Sequence, residues 1–161
     1  MIVLITGASA GFGEAMARKF VANGHRVIAA ARRTERLARL HGELGERLLP
    51  VTMDVTDRAS VEGALAQLPA DWKQIDVLVN NAGLALGTVP AQSSSLDEWD
   101  TMIDTNTKGL VTVTRTVLPE MLTRNSGVII NNLYEVQVLD SFGPGNTGHV
   151  FNLGHGISQF T

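Results

Sequence analysis

The chain has 161 residues, 44% of them apolar, and a formal net charge of -3, which fits one globular domain with a core and excludes a disordered or polycationic chain. Its lysines and arginines are scattered rather than blocked, so neither nucleic acid nor an anionic membrane is an expected partner. The absence of cysteine excludes a disulfide framework and thiolate chemistry, and is compatible with a reducing cytoplasm.

The opening "MIVLITG" is apolar but too short for a signal-peptide core, lacks a basic leader and stops at a glycine turn, so it reads as a first strand. Runs rich in β-branched residues follow at "HRVIAA", "LLPVTMD" and "IDVLVN", alternating with segments of helical spacing. That alternation predicts the α/β class, a Rossmann-like doubly wound parallel sheet in three αβα layers. The first helix is expected from about Phe12 to Ala22, ending at Asn23-Gly24, where glycine supplies the left-handed cap. A second helix follows Thr34 and a third follows Asp57.

The longest helix is expected to open at Ser95, with Glu98 reaching back to the cap's amide as a capping box. Leu96, Trp99, Ile103, Leu110, Val117 and Met121 recur at roughly helical intervals and are expected to face the sheet, and Pro119 marks the last turns. "GVIIN" then reads as a fifth strand. The texture changes near Leu133, and from Asp140 the glycines at 143, 145, 148, 154 and 156 break any regular helix. No internal repeat is visible.

"TGASAGFG", Thr6 to Gly13, lies between a strand and a helix, the context in which a glycine pattern cradles a phosphate. Gly7 permits the tight turn, Gly11 lets backbone approach a pyrophosphate, and Gly13 lets helix pack on strand while free amides point at the anion. Ala8, Ser9, Ala10 and Phe12 complete the candidate loop. A glycine-rich turn without a ligand is the alternative. Sites that prefer NAD usually end the second strand in an acid; here it ends "AAARR". Arg32 and Arg33 offer guanidinium forks for a 2′-phosphate, which favours NADP as cofactor. Plain surface decoration is the competing reading of the two arginines.

Four motifs in order, "TGASAGFG", "MDVTD", "NNAG" and "TNTKG", resemble the short-chain dehydrogenase/reductase family. The likeness runs from Met1 to about Asn132. Within the family, "LVNNAGLALG" and "MIDTNTKGL" are most similar to NADP-dependent 3-hydroxy acid dehydrogenases acting on serine-like and allo-threonine-like substrates. The resemblance implies a small hydroxy acid substrate and a sheet ordered 3-2-1-4-5-6-7. It implies that Asp54 and Val55 hold the adenine, and that Asn81, Ala82 and Gly83 lie along the adenosine ribose and strengthen the sheet's centre. Asn106, by the same likeness, distorts the long helix and holds the water of a proton relay. Taken singly, Asp54 also suits a helix start, the asparagines suit strand ends, and Asn106 suits a mostly buried helix.

The family's chemistry also implies a serine, a tyrosine and a lysine four residues after the tyrosine. The serine should stand where this chain has Tyr134, and the tyrosine about a dozen residues later, where it reads "GPGNTGHV". Tyr134 is the only tyrosine, Val138 stands four residues on, and no lysine follows Lys108. An unassisted phenol has a pKa of about 10, so ionising it at pH 7 costs roughly 4 kcal/mol. The expectation is a retained cofactor half and no turnover. Without the family's later strands, the fifth strand is expected to present an apolar edge, so that a homo-oligomer could form through that edge or the long helix.

"GHVFNLGHGISQFT" resembles the C-terminal stretch of uroporphyrinogen decarboxylase, a likeness that implies a porphyrinogen-lining role for His155. That family's barrel of eight strands needs about 250 residues, so a short segment cannot rebuild its active site. His149 and His155 lack the cysteine or "HExxH" company of a zinc site, and no metal is expected. The chain therefore divides into an NADP-binding Rossmann domain, residues 1–132, and a foreign or irregular tail, residues 133–161. Both likenesses would continue beyond Thr161, so a hybrid and truncated reading frame is expected.

Overall fold

A computed structural model describes residues 1–86 and 93–132, and the backbone of a strand at 156–160. The elements are β1 (Ile2–Thr6), α1 (Gly11–Ala22), β2 (Arg26–Ala31), α2 (Thr34–Leu44), β3 (Leu48–Thr52), α3 (Arg58–Ala66), β4 (Val77–Asn80), α4 (Leu96–Ile103), α5 (Leu110–Arg124), β5 (Gly127–Asn131) and β6 (Gly156–Phe160). Strand order is β3-β2-β1-β4-β5-β6. The first five strands are parallel, as the strand-helix alternation predicts. Crossovers on either side of β1 reverse direction there, which opens a crevice at the strands' carboxyl ends.

β1 is buried along its whole length, and its alternating side chains feed two cores. Leu4 joins Ile28, Met53, Val61, Leu78, Val113 and Met121 on the face covered by α3 and α5. Val3 and Ile5 join Val27, Ala29, Leu37, Leu40 and Val79 on the face covered by α1 and α2. Burying each such aliphatic side chain contributes about 1.5–3 kcal/mol.

Helix ends follow their capping chemistry. Asp57 accepts from the Ala59 amide at 2.9 Å to start α3, and Gly24 adopts φ 84° just beyond α1. Ser95 accepts from the Glu98 amide at 3.2 Å. The return half of the expected capping box differs, because the Glu98 carboxylate instead accepts from the Ser94 hydroxyl at 3.0 Å.

The long helix also departs from the expected stripe. Leu96 is 79% and Ile103 44% exposed, whereas Met102, Val113, Val117 and Met121 are buried. A π-helical turn at Asp104–Gly109 joins α4 to α5. Its extra residue shifts the phase, so the sheet-facing position ahead of it is Met102 rather than Ile103.

The expected open edge at β5 is a third correction. β6 pairs antiparallel with β5, Asn131 opposite Gly156 and Gly127 opposite Phe160. The backbone groups of β5 that would have stood free therefore have a ladder partner. Tyr134, Val138, His149 and His155 lie outside the described residues. No described helix is long and apolar enough to cross a membrane.

Candidate dinucleotide site

β1 ends in Thr6, the one polar residue of an otherwise aliphatic strand, and its hydroxyl organises the crevice. Thr6 Oγ1 accepts from the amides of Asn81 at 3.0 Å and Ala82 at 2.9 Å. In return Asn81 Nδ2 donates to the Thr6 carbonyl at 2.9 Å. These bonds tie the glycine loop after β1 to the segment after β4, and the amide of Ala8 fastens the same loop to the Ala30 carbonyl of β2 at 3.1 Å.

The result is a cleft of about 370 Å³ at the carboxyl ends of the strands. Of the expected residues, Gly7, Ser9, Ala10, Gly11, Arg32, Arg33, Asp54, Val55, Asn81, Ala82 and Gly83 line it. Ala8 and Gly13 are buried behind the loop, and Phe12, 69% exposed, does not line the cleft. A Cβ at Gly13 would stand 2.5 Å from Asn81 Nδ2, so only glycine lets α1 close on the Asn81 amide. At Gly11, φ is 58° and nothing lies within 4 Å of a Cβ, which leaves that backbone open to a ligand.

No side chain caps the start of α1, where Ala10 is the N-cap, so the first-turn amides remain free for an anion. Arg32 and Arg33 are exposed beside that opening, and no ion pair among the described residues engages either. Asp54 Oδ1 accepts from the Thr56 amide at 3.0 Å and from the Thr56 hydroxyl at 2.8 Å. Partial burial pushes the Asp54 carboxyl up, but those two bonds and the positive charge of Arg32 outweigh it, so its pKa lies below the usual value. The fit to an anionic dinucleotide is therefore good: open backbone, free amides, uncommitted guanidinium groups and an ionised acceptor converge on one cleft.

Asn106 is buried within the π turn and does not line the cleft. It grips the neighbouring wall instead: Leu84 N–H donates to Asn106 Oδ1 at 2.9 Å, and Asn106 Nδ2 donates to the Leu84 carbonyl at 2.8 Å. Gly109 allows this turn to approach the cleft floor, since a Cβ there would meet Val55 Cγ2 at 2.8 Å.

The expected residues omitted Thr6, Met53, Thr56, Leu84, Thr105 and Asn132. Met53, Thr56, Leu84 and Thr105 line the cleft, and only the fold brings them there. Thr6 carried a signal, as a hydroxyl ending an aliphatic strand. A separate cleft of about 280 Å³ between α3 and α5, lined in part by Leu65, Lys73, Thr116 and Arg124, contains none of the expected site residues.

Known proteins agree with this architecture. Residues 1–133 match the family model described as short chain dehydrogenase. The chain is 62% identical over 131 residues to the NADP-dependent 3-hydroxy acid dehydrogenase YdfG of Salmonella typhi, an alignment covering 81% of this chain and 53% of that protein. It is 49% identical over 129 residues to serine 3-dehydrogenase of Agrobacterium fabrum, covering 80% and 51% of the two chains. The closed form of a serine dehydrogenase complexed with NADP+ superposes with a TM-score of 0.80 at 60% identity, covering 81% of this chain and 53% of that one. The chain spans about half the length of the curated relatives it matches. A glycine loop closed on the Asn81 amide, a parallel sheet in the order given above and a match over residues 1–133 lead to one conclusion: the chain belongs to the short-chain dehydrogenase family.

Proposed function

We propose that this chain binds NADP in the cleft between β1, β2 and β4 and does so without turning over a substrate. The observation that carries the reading is the end of β2, where Ala30 and Ala31 lead into Arg32 and Arg33 with no acid to repel a 2′-phosphate. The first-turn amides of α1 would hold the pyrophosphate. Asp54, with Val55, would hold the adenine through its carboxylate, and Asn81, Ala82 and Gly83 would border the adenosine ribose. Asn106 would brace the nicotinamide side through Leu84, near where the likeness puts the water of a proton relay. When bound, NADP supplies the hydride acceptor.

In the relatives named above the dehydrogenase activity belongs to a protein of which the stretch matched here is about half. Here the reading of a silent site rests on Tyr134 standing where the family's serine is expected, with Val138 four residues later, and on "GPGNTGHV" standing where its tyrosine is expected. A small hydroxy acid such as serine or allo-threonine is the substrate class that the likeness suggests for the lineage. The cysteine-free composition fits a cytoplasmic setting. The segment after Asn132 reads as foreign to the family, and sequencing across the junction with an intact mass of the expressed chain tests that reading.

The test of binding is a thermal melt with NADP+ against NAD+. A ligand at a hundred times its Kd stabilises by about 2.7 kcal/mol, and NADP+ is expected to raise the melting temperature well above NAD+. Equal or absent shifts would refute the cofactor reading. Steady NADPH formation from serine or allo-threonine by the purified chain would refute the silent-site reading.

A further inference from the structure

Two neighbouring strands finish alike. β4 and the residue after it read "VLVNN", Val77 to Asn81, and β5 from its second residue, with the residue after it, reads "VIINN", Val128 to Asn132. Parallel pairing sets Val77 beside Val128 and Asn80 beside Asn131, so Asn81 and Asn132 leave the sheet side by side. Successive strand residues point to opposite faces, and the two asparagine pairs divide accordingly. Asn80 Nδ2 donates to Asn131 Oδ1 and to the Thr114 hydroxyl on the α5 side. Asn132 Nδ2 donates to Asn81 Oδ1 at 2.9 Å, on the side where α1 packs.

The Asn81 amide is buried, 5% exposed, and its orientation is dictated from one end. Its Nδ2 faces the carbonyls of Thr6 at 2.9 Å and Gly7 at 3.4 Å, so a flipped amide would set oxygen against oxygen. Oδ1 must therefore point the other way, where a buried acceptor needs a donor. Asn132 is that donor, and it is itself held by its N–H to the Asn80 carbonyl at 2.8 Å. A hydrogen-bonded line thus runs across the ends of three strands, from Asn132 through Asn81 to Thr6 and the start of the glycine loop.

We infer that Asn132 is a positioning residue for the dinucleotide loop, holding the Asn81 amide so that its Nδ2 clasps the Thr6 and Gly7 carbonyls in the shape that receives the cofactor. This rests on the NADP reading above. Asn132 stands where the family motifs of the sequence give out, so no motif assigns it a role.

The test compares Asn132→Asp with Asn132→Leu. Aspartate keeps the size of asparagine but, ionised, offers no donor and opposes Asn81 Oδ1; leucine removes the donor without adding charge. At pH 7 the NADP+ dissociation constant is expected to rise about tenfold for Asp and about threefold for Leu, the order of a lost buried donor. A carboxyl that titrates near 3.9 regains a donor when protonated, so the Asp deficit relative to the unaltered chain should shrink toward pH 4. In the nucleotide-free protein, the Asn81 and Ala82 amides, both donating to Thr6 Oγ1, should exchange with solvent faster in the Asp variant.

Affinity and exchange in Asn132→Asp that match the unaltered chain overturn the inference. So does an affinity loss that follows melting temperature alone, with no recovery in acid. If the unaltered chain binds no NADP+, the function reading fails by itself, and amide exchange still decides whether Asn132 sets the loop.

Discussion

Asn106 and Leu84 form a two-point clasp in which one side-chain amide satisfies both the N–H and the carbonyl of one backbone residue. The clasp joins the π turn to the wall of the cleft, so its loss should be felt in stability as well as binding. Asn106→Ala leaves two partly buried backbone groups without partners and is expected to cost about 1–3 kcal/mol, read as a lower urea midpoint with an unchanged slope. Asn106→Asp keeps an acceptor for the Leu84 N–H but sets an oxygen against the Leu84 carbonyl. It should unfold no later than the alanine variant.

Two glycines of the same loop should respond in opposite ways. Gly13→Ala drives a methyl into Asn81 Nδ2 and the Gly7 carbonyl, so expression as folded protein should fall and the remainder should melt early. Gly11→Ala meets open space and carries only the strain of φ 58°, about 1 kcal/mol. On the proposed reading the folded alanine variant should nevertheless lose NADP+ binding, because its methyl would enter the open space assigned to the pyrophosphate. Calorimetric titration on both proteins checks the contrast.

Removing the guanidinium groups of Arg32 and Arg33 should change selectivity before stability, since both are exposed. The double change to alanine is expected to weaken NADP+ about 10- to 100-fold, on the scale of charge-assisted bonds of about 1.5–3 kcal/mol, while NAD+ affinity changes little. Raising salt should narrow the gap between the unaltered chain and the variant.

Asp54 titrates lower in the folded chain than its ordinary value of 3.8. Its ionised form therefore adds stability that is complete above the unfolded value and is lost as pH falls through the folded one. Asp54→Asn removes that dependence, so urea midpoints of the two proteins should converge as the solution is taken below 3.8 and run parallel at neutral pH. A difference that widens in acid would contradict the direction of the shift.

Much of the fold was legible because it rests on short-range chemistry. Runs rich in β-branched residues, alternating with segments of helical spacing, became β1 to β5, and Asp57, Ser95 and Gly24 stood where caps were expected. The exceptions have separate causes. Leu96 and Ile103 were misassigned because a π turn changes helical phase without a composition signal, and the Glu98 carboxylate took the Ser94 hydroxyl as its donor in place of the Ser95 backbone amide.

Sequence by itself determined the class, the glycine loop, the arginine-rich end of β2 and the family likeness, since each depends on residue type at a fixed local spacing. Tertiary structure alone decided that Thr6, Asn81 and Asn132 form one line, that Asn106 holds Leu84, and that β6 covers β5. Those contacts join residues that are distant in the chain. Their partners are chosen by strand register and by the need to satisfy each buried polar group, conditions that exist only after the sheet has assembled.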